Sequence, residues 1–257
     1  MNITRKKFLQ VTGISVLAVT GEKLAGTFAV AMQSTLPAPA RALTAGRWAM
    51  VVDLNKCAQK EGCSKCIEAC HSVHNVPESG EQAHRIQWIW KAPFANAFPS
   101  EQNEYQPAAL EDAAVPLFCN HCDNPPCVRV CPTKATWKRE DGIVMMDWHR
   151  CIGCRYCMAA CPYGSRSFNW TDPRPRLARL DPDFPTRTKG VVEKCNFCEE
   201  RLAKGELPAC VKACPQEAMI FGDLGNGNSQ VRQLLRSRYA IRRKPELGTK
   251  PEVFYIV

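Results

Sequence analysis

The sequence lacks the marks of several function classes. No apolar run is long enough to cross a bilayer: the best candidate, Val11 to Val19, falls far short of a helical span and is closed off by Glu22 and Lys23. There is no phosphate-binding glycine loop, since Gly225-Asn226-Gly227-Asn228 reads as a turn without the strand–helix setting such a loop needs. Neither a nucleophile–base–acid triad nor a substrate-pocket signature can be picked out. The formal net charge is +9, yet no contiguous basic face interleaved with aromatics stands out, which argues against nucleic acid as a partner. Nor is any cysteine left over. All 16 fall into groups of four.

Those groups are what the chain does have. The two central runs are Cys119-x2-Cys122-x4-Cys127-x3-Cys131-Pro132 and Cys151-x2-Cys154-x2-Cys157-x3-Cys161-Pro162. The two outer ones are Cys57-x5-Cys63-x2-Cys66-x3-Cys70 and Cys195-x2-Cys198-x11-Cys210-x3-Cys214-Pro215. Three close cysteines, a fourth and a proline form the run of bacterial ferredoxins, in which the fourth thiolate binds the neighbouring cluster of a pair. A cubane needs soft thiolates at its corners. A tight loop wraps three of them, and the fourth is reached from a following helical turn. Proline then ends the loop and fixes the chain's exit.

On that pattern four [4Fe-4S] clusters are expected. One takes Cys119, Cys122, Cys127 and Cys161; the next takes Cys151, Cys154, Cys157 and Cys131. A third takes Cys57, Cys63, Cys66 and Cys214, and the last takes Cys195, Cys198, Cys210 and Cys70. The Cys57 run is the least regular, with a widened first gap eased by Gly62 and with His71 in place of proline. A [3Fe-4S] cluster stays open there. A secreted disulfide scaffold would also use many cysteines, but it does not call for repeated CxxC pairs with CxxxCP endings. Structural zinc favours CxxC and leaves those endings unexplained.

The charge fits buried clusters. Residues 1–42 carry Arg5, Lys6, Lys7, Lys23 and Arg41 against Glu22, leaving +5 for the remainder. Each oxidised cluster with its thiolates carries about −2, so four would bring that remainder near −3. The basic excess then balances charge held inside.

Residues 1–42 read as an export signal: a basic start, a short apolar stretch, and small-residue cleavage sites at Ala38-Pro39-Ala40 or Ala40-Arg41-Ala42. Thr4-Arg5-Lys6-Lys7-Phe8-Leu9-Gln10 resembles the twin-arginine pattern, with Lys6 where the second arginine is usual. Clusters are assembled in the cytoplasm, so such a protein would cross already folded, to the periplasm. A retained anchor is the competing reading.

Further along, Trp48 to Val52 followed by Asp53-Leu54-Asn55-Lys56-Cys57 matches Ile143 to Met146 followed by Asp147-Trp148-His149-Arg150-Cys151. This internal repeat of strand, aspartate, base and cysteine indicates two ferredoxin-like units. Between groups, residues 71–118 hold His71, His74 and His84, a strand at Gln87 to Trp90, and otherwise a loop over the clusters. The histidines read as hydrogen-bonded neighbours of the clusters, a metal or haem role being the alternative. Residues 163–194 form a proline-marked insertion. Its Arg166, Arg174, Arg176, Arg179, Arg187 and Lys189 suit either a docking face or a solvated loop. Glu199 to Lys204 suits a helical turn and Ala218 to Gly222 a strand. A helix with an arginine face is expected over Ser229 to Arg243, then an edge strand at Val253 to Ile256.

With these residues laid out, the mature chain resembles, over about residues 48–257, the four-cluster ferredoxin-like electron-transfer subunits of membrane oxidoreductases. The dimethyl sulfoxide, polysulfide and nitrite reductase complexes contain such subunits. The x11 gap and the Thr249-Lys250-Pro251 tail carry the likeness along with the cysteine runs. Residues Cys70 to Pro77, Trp88-Ile89-Trp90 and Phe184 to Cys195 narrow it to the periplasmic iron–sulfur subunits of Dsr-type sulfur-metabolism complexes. The resemblance implies an α+β fold of two interlocked bacterial-ferredoxin-like units with loop insertions. Residues 43–118 and 190–257 would form the outer unit, and 119–189 the inner one.

The implied role is a non-catalytic relay, associated with the membrane through its partners. These are a polytopic quinone-interacting membrane subunit, a multihaem cytochrome c and other subunits of the complex. The iron–sulfur subunit of a polysulfide, nitrite or menaquinone reductase is the alternative. Cluster potentials answer to nearby charge, which makes Lys134, Arg155 and Lys194 tuning candidates. A stand-alone enzyme would need an open iron site, and only the Cys57 group is irregular enough to offer one.

Overall fold

The computed structural model describes residues 42–78, 84–105, 110 and 113–257; the export-signal reading of residues 1–42 lies outside them but for Ala42. The strands are β1 (Trp48–Asp53), β2 (Ile89–Pro93), β3 (Ala114–Phe118), β4 (Thr136–Lys138), β5 (Val144–Met146), β6 (Ser167–Phe168), β7 (Val192–Glu193), β8 (Met219–Asp223), β9 (Ala240–Ile241) and β10 (Val253–Ile256). The helices are α1 (Leu54–Ala58), α2 (Lys65–Val73), α3 (Phe94–Ala97), α4 (Pro126–Arg129), α5 (Tyr156–Ala159), α6 (Glu199–Ala203), α7 (Ala209–Lys212) and α8 (Gln230–Ser237). None of them is long and apolar enough to cross a membrane.

The largest sheet has the order β8-β1-β10-β9. β1 lies parallel to β10, with Met50 opposite Val253, and antiparallel to β8, with Met50 opposite Phe221. Every residue of β1 is buried, as its run of apolar and β-branched residues allows. Side chains alternate between the faces. Trp48, Met50 and Val52 pack with Met219, Phe221, Val253 and Tyr255 on the side that also holds Cys66 and Cys70. Ala49 and Val51 face the other way, into a cluster with Phe254, Ile256 and Val231 of α8. Burying an aliphatic side chain of this size contributes roughly 1.5–3 kcal/mol, so both faces hold β1 in place.

Three two-stranded sheets, β2-β3, β4-β5 and β6-β7, complete the described set. In all three the strands run antiparallel.

Four expectations change. The helix predicted to Arg243 stops at Ser237, and Tyr239 is 72% exposed. Ala240 and Ile241 instead pair with Ile256 and Tyr255, and this sheet pairing overrides the helical pattern. β10 is consequently an inner strand and β9 the edge. The strand predicted from Gln87 begins at Ile89, since only from there is there a partner, Phe118 of β3. The remainder of residues 71–118 also includes α3 and β3, which is more than a loop.

Candidate functional site

Each cysteine run is entered from a strand and left through a short helix. β1 delivers Cys57 into α1, and Cys66 and Cys70 lie on α2. β3 ends just before Cys119, and Cys127 on α4 precedes Cys131-Pro132. β5 leads to Cys151, and Cys157 on α5 precedes Cys161-Pro162. β7 leads to Cys195, α6 fills the gap after Cys198, and Cys210 on α7 precedes Cys214-Pro215. The helix after Cys198 ends as expected, with Gly205 in the left-handed region at φ +78. Helices then pair across the runs, α2 on α7 and α4 on α5.

These pairings gather the thiols. Burial pushes the Cys57 thiol up, Lys91 opposes it, and Cys214 and Cys63 add to the rise. Burial likewise takes Cys66 up to about 11, with Cys57 and Cys214 beside it. Cys70 is raised well above the usual thiol range by burial and then by Cys198, Cys195 and Cys210. So Cys70 stands among the thiols of the last run, and Cys214 among those of the first.

Cys119, Cys122, Cys127 and Cys161 line one cavity, together with Pro125, Pro126, Tyr163 and Arg166. Burial and Cys119 push Cys122 up to about 12. Cys151, Cys157 and Cys131 pack around a shared apolar cluster with Ala135, Val144 and Val192. Burial raises Cys157, with Arg166 opposing. Cys131 goes the other way. Burial would raise it, but the amides of Thr136, Ala135 and Thr133 and the Thr133 hydroxyl hold it below its usual value. Cys154 is the exposed member, on the loop between Cys151 and Cys157, and stands apart from the apolar cluster of the other three.

All sixteen cysteines are free thiols. Buried thiols grouped together resist deprotonation, because their thiolates would repel one another, and a bound metal ion reverses that preference. Sulfur-only donors in fours fit a soft iron–sulfur cube. Electrostatic interactions between thiols of different groups also link the groups in a series. The charge of Cys66 acts on Cys210, that of Cys119 on Cys195, and that of Cys127 on Cys157. The order is therefore the Cys57, Cys195, Cys119 and Cys151 groups.

The polar side chains around this series were only partly legible in the sequence. Lys194 is 1% exposed and donates to the carbonyls of Cys195, at 2.7 Å, and of Val144. It is the one tuning candidate that lies inside. Arg155 and Lys134 are exposed, and the Arg155 guanidinium sits over the Trp170 ring. His74 is hydrogen-bonded, with Nδ1 2.8 Å from the Cys70 carbonyl and Nε2 2.9 Å from Glu200. Burial would raise Glu200, but its hydrogen bonds, that with His74 first, hold it low. His121 is fully buried, accepts from the Val144 amide at Nδ1 and stacks on Phe197 at 3.6 Å. No sequence signal pointed to it.

The insertion's basic residues divide. Arg174, Arg179 and Lys189 are exposed and Arg176 half-buried, whereas Arg166 and Arg187 are buried. Arg187 pairs with the fully buried Glu193 at 2.7 Å and donates to the Asn75 carbonyl at 2.7 Å. Glu193 also accepts from Trp88 Nε1 at 2.7 Å. A docking face made of all six is thus corrected: Arg187 ties the insertion to the segment after α2.

A family model described as a 4Fe-4S dicluster domain matches residues 111–175 and 182–224. The chain is 42% identical to the Hdr-like menaquinol oxidoreductase iron-sulfur subunit 1 of Archaeoglobus fulgidus, over 98% of this chain and 97% of that one. It is 37% identical to the menaquinone reductase iron-sulfur cluster-binding subunit of Nitratidesulfovibrio vulgaris, covering 82% and 88%. The arsenate respiratory reductase iron-sulfur subunit ArrB of a Shewanella species is 38% identical, covering 82% and 96%.

Proposed function

Because the chain belongs to the family of iron–sulfur electron-transfer subunits of membrane quinone and menaquinol oxidoreductases, we propose that it carries four [4Fe-4S] clusters. It relays electrons between a quinone-interacting membrane subunit and another redox carrier. The observation that carries this reading is the crossing of Cys70 and Cys214 into each other's groups, the arrangement that interlocked ferredoxin runs require. Cys57, Cys63, Cys66 and Cys214 would hold the first cluster, and Cys195, Cys198, Cys210 and Cys70 the second. Cys119, Cys122, Cys127 and Cys161 would hold the third, and Cys151, Cys154, Cys157 and Cys131 the fourth. The clusters supply one-electron chemistry when bound. The chain fixes their order, buries the two in the middle, and sets fixed charges beside them.

Within that role, the reading is the periplasmic subunit of a Dsr-type sulfur-metabolism complex (DsrO), exported through its twin-arginine-like leader and working beside a multihaem cytochrome c. A second reading stands level with it: the iron–sulfur subunit of a polysulfide, nitrite or menaquinone reductase, which the relatives named for menaquinol and menaquinone favour. Iron and sulfide analysis of anaerobically purified protein tests the relay itself. About sixteen iron atoms per chain are expected, with paramagnetic signals on reduction; zinc or cystine in their place would sink it. Purification of the native complex separates the two readings, c-type haem spectra supporting the first and their absence the second.

A further inference from the structure

Arg166 follows Cys161 by five residues, and in the sequence it looks like part of an exposed basic loop. The fold turns it inward. It is 5% exposed and shares the cavity lined by Cys119, Cys122, Cys127 and Cys161. One arm of the guanidinium, Nη2, donates to Thr136 Oγ1 at 2.9 Å, and Nη1 lies 3.7 Å from Met146 Sδ. Thr136 Oγ1 donates in turn to the Met145 carbonyl at 2.6 Å, which fixes the hydroxyl that receives the guanidinium. Met146 packs in one apolar cluster with both Cys127 and Cys157, so the guanidinium resting on its sulfur lies beside both thiols, whose charges act on it. Among the described residues no carboxylate forms an ion pair with it. A buried guanidinium without a counter-charge is costly and stays protonated, so its counter-charge has to be sulfur.

Cys127 and Cys157 belong to different groups, the two adjacent ones of the inner pair. We propose that Arg166 is a shared cationic bridge, whose fixed charge stands beside one thiolate of each inner cluster and raises the reduction potential of both. This rests on the four-cluster reading above. The sign follows from charge: each site becomes more negative on reduction, and a fixed cation nearby favours that form. The planar fork is held by the Met146 sulfur and the Thr136 hydroxyl at once, which a lysine ammonium on its single point cannot reproduce.

The test is a redox titration followed by electron paramagnetic resonance on anaerobically purified full-length protein, comparing wild type, Arg166→Gln, Arg166→Lys and Thr136→Val. In Arg166→Gln, two of four midpoints are expected to fall. The reduction equilibrium of each should shift at least about tenfold, or about 59 mV for a one-electron couple, with the other two midpoints unmoved. Arg166→Lys should recover part of the shift, and Thr136→Val should produce a smaller fall in the same two. Unchanged midpoints with full iron content would overturn the bridge, as would four midpoints moving together. Where Arg166→Gln loses iron, the other two variants decide, and no shift in either overturns it. Wild type without four clusters would instead sink the relay reading.

Discussion

Single residues divide between those that meet the cysteines and those that hold the frame. Glu252 is of the second kind. It is buried, its Oε2 has no hydrogen-bond partner among the described residues, and its Oε1 lies 3.6 Å from Arg47 Nε. Burial raises its carboxyl to about 7, with the charges of Arg47 and Arg242 opposing. An acid whose folded pKa is raised binds its proton more tightly in the folded state, so stability is greatest below the unfolded value near 4.3 and falls as pH rises toward 7. Glu252→Gln removes that linkage. Thermal unfolding of the variant should vary less between about pH 4.5 and 7 than that of wild type, with the variant the more stable near neutrality. Parallel curves for the two proteins would refute the assignment.

At the scale of elements, the decisive unit is strand, loop and short helix, used four times. The loop from Cys151 to Cys157 depends on backbone that only glycine accommodates. Gly153 has φ +70, and a Cβ there would stand 2.4 Å from the Gly190 carbonyl oxygen. The first disfavours alanine by local sterics, and the second excludes it by collision with backbone. Gly153→Ala should displace the loop that carries Cys151, Cys154 and Cys157. Iron content would fall from about sixteen to about twelve atoms per chain while the other three clusters keep their signals. Retention of all the iron would show that the loop tolerates the displacement.

Over the whole molecule, the proposed crossing of Cys70 and Cys214 predicts how damage spreads. Two residues far apart in the chain share the work, because α2 packs on α7. Cys70→Ser, made in the first run, is accordingly expected to alter the cluster of Cys195, Cys198 and Cys210. The cluster of Cys57, Cys63 and Cys66 should be left as it was. Paramagnetic spectra of Cys70→Ser and Cys57→Ser distinguish the two clusters. If both variants perturbed the same one, each run would be binding its own cluster and the crossing would be wrong.

The cysteine runs determined the chemistry by themselves, since ligand spacing is local and sixteen thiols with CxxxCP endings admit few uses. The strands around Trp48 and Ile143 were legible for the same reason: a short apolar run bounded by a polar turn needs no distant partner to be recognised. What only the tertiary structure decided depends on residues far apart in the chain. Ala240 and Ile241 left a helical pattern because β10 offered a sheet edge, and Arg166 and Arg187 left the surface because thiols and Glu193 awaited them inside. Nothing in a basic, proline-rich stretch tells which of its charges has a buried partner, because that partner is set by packing and not by spacing.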